Sequence, residues 1–147
     1  MTRHQGRPPV ILAVDPGRHK CGFAVLTLDG AVEGLWVAPR TELAQEVCRV
    51  VGELPVQAVL VGDRTGSKQA LAELGSHDLP APIRTAPEHE TTLRARERYF
   101  RDNPPRGWRR LIPRGMLLPP RPVDDYAALV MAEDWLAARR SPRADAH

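Results

Sequence analysis

Pro9-Val10-Ile11-Leu12-Ala13-Val14-Asp15-Pro16-Gly17, running on through Arg18-His19-Lys20-Cys21 into Gly22-Phe23-Ala24-Val25-Leu26, decides the fold. The five apolar residues Val10 to Val14 form a run far too short to span a membrane, and Asp-Pro-Gly stops it. This pattern predicts a strand buried on both faces. Asp15 then stands at the strand's C-terminal end. Pro16 fixes the turn, Gly17 removes a side chain where something must approach the backbone, and the second apolar run predicts an antiparallel partner. A carboxylate that ends the central strand of a sheet is a candidate metal ligand. The alternative reading of the same residues is an Asp that only starts the turn.

Working outward, the pattern predicts strands at Val10 to Val14, Gly22 to Leu28 and Val32 to Val37, with Asp29-Gly30 as a two-residue hairpin signal. Thr41 is placed to cap a helix reaching about Gly52, with Leu43, Val47, Val50 and Val51 on one stripe. Ala58 to Val61 is a second short apolar run ending in Gly62-Asp63, expected to lie parallel to the first strand after a helical crossover. Ser67 is a candidate cap for a helix ending at Gly75, and a strand follows around Ile83 to Ala86. Pro87 ends that strand, with Glu88 just beyond it. Thr91 or Thr92 can cap a helix to about Phe100, a proline-rich loop spans Asp102 to Pro122, and a last helix begins at Asp124 or Asp125 and reaches about Ala138.

The order β-β-β-α-β-α-β-α implies an α/β fold, a mixed sheet with helices on its faces. The expected organisation is a basic N-terminal tail over 1–9, one domain over 10–138 and a polar tail over 139–147. A chain of 147 residues, 42% hydrophobic, can bury roughly two thirds of its unfolded surface in one core. Cys21 and Cys48 are the only cysteines, no apolar leader precedes Val10, and no run approaches a membrane span, so a reducing cytoplasm is expected and a membrane is not. Two cysteines far from other sulfur or imidazole clusters argue against zinc and for small buried thiols.

Net charge is only +3, yet Arg84 to Arg121 holds ten Arg against Glu88, Glu90, Glu97 and Asp102. All but Lys20 and Lys68 of the 21 basic residues are Arg. A one-sided cluster of guanidiniums is the footprint expected of a phosphate-binding face. In open α/β sheets ligands sit at the carboxyl ends of strands, where Asp15 and Glu88 both fall, while Asp124 opens the helix that follows. Three acids from distant parts of the chain would suit one or two divalent cations with oxygen ligands.

Asp-Pro-Gly-Arg-x-x-x-Gly at Asp15 to Gly22, Glu-x-x-x-Thr-x-x-x-Arg at Glu88 to Arg96 and Val-Asp-x-x-Ala-Ala at Val123 to Ala128 resemble the YqgF family, also called RuvX. The likeness covers about residues 10 to 138. It implies the RuvC-like branch of the ribonuclease-H-like fold and places Asp15, Glu88 and Asp124 at the family's catalytic, metal-binding positions. Asp125 competes with Asp124: Ala127, Ala128, Met131 and Trp135 share a stripe with one, Leu129, Ala132 and Leu136 with the other. The small Ala127 and Ala128 favour Asp124, because they let its face lie close to the sheet. The chain departs from the family in reading Pro87-Glu88-His89 where Asp-Glu-Arg is usual, and Gly62-Asp63-Arg64-Thr65-Gly66-Ser67-Lys68 where Leu-Pro-x-Asn-Met-Asp-Gly is usual. Substrate choice is therefore less determined than metal binding.

The resemblance implies phosphodiester hydrolysis with two Mg2+ or Mn2+ ions about 4 Å apart, one activating water and the other stabilising the leaving oxygen. Arg18, Lys20, Arg64, Lys68, Arg96, Arg109, Arg110 and Arg114 are the candidate phosphate contacts. Trp108 is a candidate base-stacking residue, its alternative being to pin the proline-rich loop to the body. Expected substrates are RNA, in ribosomal RNA maturation, with a four-way DNA junction as the rival and a binding protein with weakened catalysis as the third reading. A monomer or weak homodimer is expected, since the first helix has no apolar stripe beyond what its own core needs.

Overall fold

The computed structural model describes residues 6–64, 66–87, 91–112, 119 and 124–140. Five strands form one mixed sheet in the order β3-β2-β1-β4-β5. They are β1 (Val10–Pro16), β2 (Lys20–Thr27), β3 (Val32–Pro39), β4 (Val56–Gly62) and β5 (Ile83–Ala86). The first three run as an antiparallel meander, and β4 and β5 add in parallel on the other side of β1. The strand read first in the sequence is thus the central one. Among the described residues four α-helices accompany the sheet: α1 (Leu43–Glu53), α2 (Ser67–Gly75), α3 (Thr91–Asp102) and α4 (Asp124–Arg140).

The two-residue period of β1 divides the core. Val10, Leu12 and Val14 join Phe23, Val25, Val59 and Val61 in a cluster with Leu43, Val47 and Val50 of α1 and Ala70 and Leu74 of α2. Ile11 and Ala13 point the other way, into a cluster with Ala24, Leu26, Ala58 and Leu60 beneath Ala95, Tyr99 and Phe100 of α3 and Ala127, Ala128, Leu129 and Ala132 of α4. The second face is dominated by alanine where α4 crosses it. Small side chains on both surfaces let the helix backbone settle close to β1 and β2, as Ala127 and Ala128 imply.

Local chemistry differs from the sequence pattern at three helix or hairpin ends. The β2–β3 hairpin is longer than two residues: the Ala31 amide donates to the Thr27 hydroxyl at 3.0 Å, that hydroxyl bonds the Asp29 carboxylate, and Gly30 takes φ +97°. Side-chain bonding by Thr27 stabilises a wider turn than Asp-Gly alone requires. Thr41 does not cap α1; a 3-10 turn over Arg40–Glu42 feeds the helix, and its N-cap is Glu42 without a side-chain cap bond. Ser67 is the first residue of α2 rather than its cap, and Gly66 holds the cap position at φ +96°. At the edge of the sheet, Trp36 of β3 stacks on Phe23 across the strand pair, with centroids 5.1 Å apart and planes 9° from parallel. Its indole N–H donates to Glu46 of α1 at 3.0 Å, which ties the edge strand to the helix that covers it.

Candidate active site

Asp15 is paired with Gly22 across β1 and β2. By alternation it lies on the same face of the sheet as Ile11 and Ala13, the face that α4 covers. Gly22 is where the helix lands. A Cβ built on it would stand 1.9 Å from the backbone carbonyl oxygen of Asp124 and 2.5 Å from the backbone nitrogen of Asp125. No side chain fits there, so glycine lets the first turn of α4 press on the strand beside Asp15. Together the strand register and this backbone contact bring Asp15, Asp124 and Asp125 to one end of the sheet.

The N-terminal turn of α4 is also held from the other side. Tyr126 is buried, and its hydroxyl donates to Asp102 at 3.2 Å and accepts from the Asn103 amide at 3.4 Å. The ring packs edge-on against Tyr99, so α3's C-terminal end is knitted to the start of α4. Burial pushes the Tyr126 phenol up, partly offset by the bond from Asn103. Further along, Arg94 makes a two-pronged pair with Asp134 at 2.6 and 2.7 Å, and Arg98 meets Glu133 at 2.5 Å. Donating to the Glu133 carboxylate raises the Arg98 pKa further. Two members of the arginine-rich stretch therefore brace α3 against α4.

The two helix acids differ. Asp125 is 3% exposed and accepts a hydrogen bond from the Tyr126 amide at 3.0 Å, whereas Asp124 is half-buried, as Asp15 is. Among the described residues no three His, Cys, Asp or Glu form a ready-made metal cluster. Glu88, expected to complete one, lies outside the described residues, two positions beyond the last residue of β5. The candidate donors that are described, Asp15, Asp124 and Asp125, are all carboxylates, the hard oxygen donors that suit Mg2+ or Mn2+.

On the other side of the same sheet edge lies an open cleft of about 1130 Å³, lined by Gly17, Arg18, Arg40, Asp63, Arg64, Gly66, Ser67, Lys68 and Gln69. It gathers three of the expected phosphate contacts, Arg18 from the turn after β1, Arg64 from the turn after β4 and Lys68 from the first turn of α2. Arg40 was not foreseen. It reaches the cleft because its amide donates to the His19 carbonyl at 2.8 Å, which docks the end of β3 on the turn after β1, and its guanidinium is held by Glu73 at 2.8 Å. A signal was present in the sequence only as an Arg following the strand-ending Pro39.

Other expected contacts lie elsewhere. Lys20 is exposed at the start of β2, opposite Pro39, in a shallow depression with His19, Val37 and Ala38. Arg96 is half-buried on α3. Trp108 and Arg110 sit on a 3-10 turn over Gly107–Leu111, with Arg110 bonded to the Gly107 carbonyl at 3.3 Å. Trp108 is 72% exposed, so it does not pin the loop to the body. The Arg109 side chain and Arg114 lie outside what the structure describes. Cys21 is buried on the α1/α2 face, where desolvation pushes its thiol up against the opposing bond from the Gly17 backbone.

The fold is similar to that of a solved structure. The structure titled "T. thermophilus RuvC in complex with Holliday junction substrate" superposes with a TM-score of 0.54 at 19% identity, covering 88% of this chain and 94% of that one. The fold is RuvC-like. By sequence, no protein-family model and no curated protein matches the chain. The mixed five-stranded sheet with helices on its faces is the arrangement that the order of elements implies, and with the RuvC-like neighbour it agrees with the ribonuclease-H-like fold that the family resemblance implies. No helix among the described residues is long and apolar enough to cross a membrane.

Proposed function

We propose that the protein is a divalent-metal-dependent nuclease of the YqgF type, with Asp15, Glu88 and Asp124 as its catalytic carboxylates and Asp125 as a further metal ligand or support. The observation that carries this reading is the seating of α4 on Gly22. It places two carboxylate-bearing residues of the helix start beside the strand residue Gly22 that is paired with Asp15. Carboxylates held by a central strand and a helix terminus are anchored on rigid elements, which is what positioning a metal and a scissile phosphate requires. A bound Mg2+ or Mn2+ pair supplies water activation and charge stabilisation at the leaving oxygen. The chain's own part is to fix the acids through the Asp15–Gly22 register, to keep α4 from rotating through the Tyr126–Asp102 bond, and to hold the strand by its phosphates through Arg and Lys.

Single-stranded RNA, of the kind presented by ribosomal RNA precursors, is the favoured substrate. Exposed Trp108 beside Arg110 offers one stacking platform and a cation, which suits unpaired bases. A second reading, resolution of four-way DNA junctions, is favoured by the likeness to a RuvC solved with such a junction. It requires two active sites across a two-fold axis, and the apolar residues of α1 are consumed by its own core. The discriminating experiment incubates the pure protein with Mn2+ and labelled single-stranded RNA, single-stranded DNA and a four-way junction. Faster cleavage of the RNA is expected. Paired symmetric cuts in the junction at a higher rate would replace the first reading with the second, and tight binding with no cut in any substrate would support a binding protein.

A further inference from the structure

The cleft beside α2 belongs to the opposite face of the sheet from the carboxylates, yet it begins two residues from Asp15, at Gly17. Its walls carry Arg18, Arg40, Arg64 and Lys68 against the single acid Asp63. Arg40 is already paired with Glu73, while Arg18 and Lys68 are exposed and make no ion pair among the described residues. A surplus of cations thus faces the opening.

The floor is formed by the start of α2, a helix of nine residues. Its first-turn amides lack intrahelical acceptors. The Ser67 amide is taken by the Arg64 carbonyl at 2.9 Å, and the Ala70 amide reaches back to Gly66 at 3.1 Å. Lys68 and Gln69, both lining the cleft, carry the two first-turn amides between them. Gly66 at φ +96° has open space where a Cβ would stand, so nothing screens this turn. An independent observation points to a ligand: Ser67 lines the cleft although the residue is only 9% exposed, and its hydroxyl makes no hydrogen bond to another described residue. The side chain of this largely buried residue lines the cleft, which is where an acceptor or donor can reach it.

We propose that this cleft is a phosphate-binding subsite, in which Ser67, the Lys68 and Gln69 amides and the Arg18 and Lys68 side chains hold one phosphate of a nucleic-acid strand whose scissile bond lies at the carboxylates. The proposal rests on the nuclease reading for the identity of the strand, but the phosphate site itself does not. Helix dipole, amide donors and cations act on the same anion. At most about 7 Å of chain separates the Asp15 and Gly17 Cα atoms, so a strand lying across the sheet edge meets both sites. Anchoring one phosphate there would fix the register of the bond presented for cleavage.

The test uses isotope-labelled full-length Asp15→Asn protein with EDTA present, so that no strand is cut. Inorganic phosphate and two single-stranded RNA hexamers, one with a 5′-phosphate and one with a 5′-hydroxyl, are titrated while the Gly66, Ser67, Lys68 and Gln69 amide resonances are followed. Saturable shifts at these amides with phosphate and with RNA are expected. Arg18→Ala with Lys68→Ala should weaken phosphate binding about tenfold, and Ser67→Ala should weaken it severalfold. Preference for the 5′-phosphate would assign the subsite to a strand end, and equal affinity to an internal backbone phosphate. Amides that stay still while RNA binds elsewhere would overturn the proposal. Response to phosphate in a protein whose wild type cuts no nucleic acid would keep the subsite and remove the nuclease reading. Wild-type cleavage without any response at these amides would do the reverse.

Discussion

The two sides of the sheet edge at Asp15 are built on opposite plans. Beneath α4 alanines stand among the larger side chains, backbone meets backbone at Gly22, and the polar groups are carboxylates on a strand and a helix start. Beside α2 the sheet is faced with valine and leucine, the helix stands off behind a glycine turn, and the polar groups are guanidinium, ammonium, hydroxyl and amide. The first side excludes volume to fix acids, and the second leaves volume open to admit an anion. Sequence neighbours are divided between them: Asp15 serves one side and Arg18 the other, with Pro16-Gly17 turning the chain and the Gly17 amide bonded to the Lys20 carbonyl at 2.9 Å.

The comparison breaks most severely at Gly22. Gly22→Ala drives a methyl into the Asp124 backbone, so α4 must lift; overpacking of this kind costs about 1–3 kcal/mol or more. Thermal unfolding should show that loss, and cleavage should fall further than the folded fraction does. The same substitution at Gly66 meets open space, so its cost is confined to the positive φ, about 1–2 kcal/mol, and cleavage chemistry should survive in the folded protein.

Charge removal sharpens the contrast. If the basic side binds the strand, each lost cation should flatten the logarithmic salt dependence of single-strand binding by roughly 0.7. Arg18→Ala with Lys68→Ala should flatten it more than Arg109→Ala with Arg110→Ala. A reversed ranking would place the strand on the 3-10 turn instead of the cleft.

Alkaline pH tests both sides through buried groups. Cys21 and Tyr126 have folded pKa values raised above the unfolded ones, by desolvation in each case. Their neutral forms are therefore favoured by folding, a contribution complete below the unfolded pKa values and lost as pH rises through the folded ones. Denaturant midpoints should begin to fall above about pH 8.5, the ordinary thiol value. Cys21→Ser should remove the earlier part of that fall, and Tyr126→Phe the later part.

The smallest effect belongs to the brace between α3 and α4. Arg94 and Asp134 are two-fifths exposed, so Arg94→Ala should cost no more than about 1 kcal/mol in chemical denaturation. A larger loss would mean that the pair, rather than Gly22 and Tyr126, sets the position of α4.

The central strand, its antiparallel partner and the parallel crossover were legible because unbroken apolar runs and Asp-Pro-Gly punctuation admit few alternatives. The family resemblance singled out Asp15 and the acids at the start of α4, which the structure brings to one end of the sheet, and the Asp15–Gly22 register shows what the second glycine of Asp-Pro-Gly-Arg-x-x-x-Gly does. Less could be read where a side chain's role depends on a distant partner. Nothing near Arg94 or Arg98 in the sequence tells that Asp134 and Glu133 face them, so the arginine-rich stretch looked uniformly available for phosphate. Arg40 joins the basic cleft only through a backbone bond to His19, a tertiary contact without a local pattern. Thr41 and Ser67 carry cap-type side chains, yet a 3-10 turn and a left-handed glycine start those helices instead.

The most direct test of the account measures Mn2+ binding and single-stranded RNA cleavage side by side for the wild type, Asp15→Asn and Asp124→Asn. The account predicts metal-dependent cleavage by the wild type that EDTA abolishes. It also predicts weakened Mn2+ binding and at least a hundredfold loss of rate, about the scale of removing one charge-stabilising group, in both variants, with folding and RNA affinity in EDTA unchanged. Cleavage by Asp15→Asn at the wild-type rate, or Mn2+ binding unaltered in both variants, would contradict it.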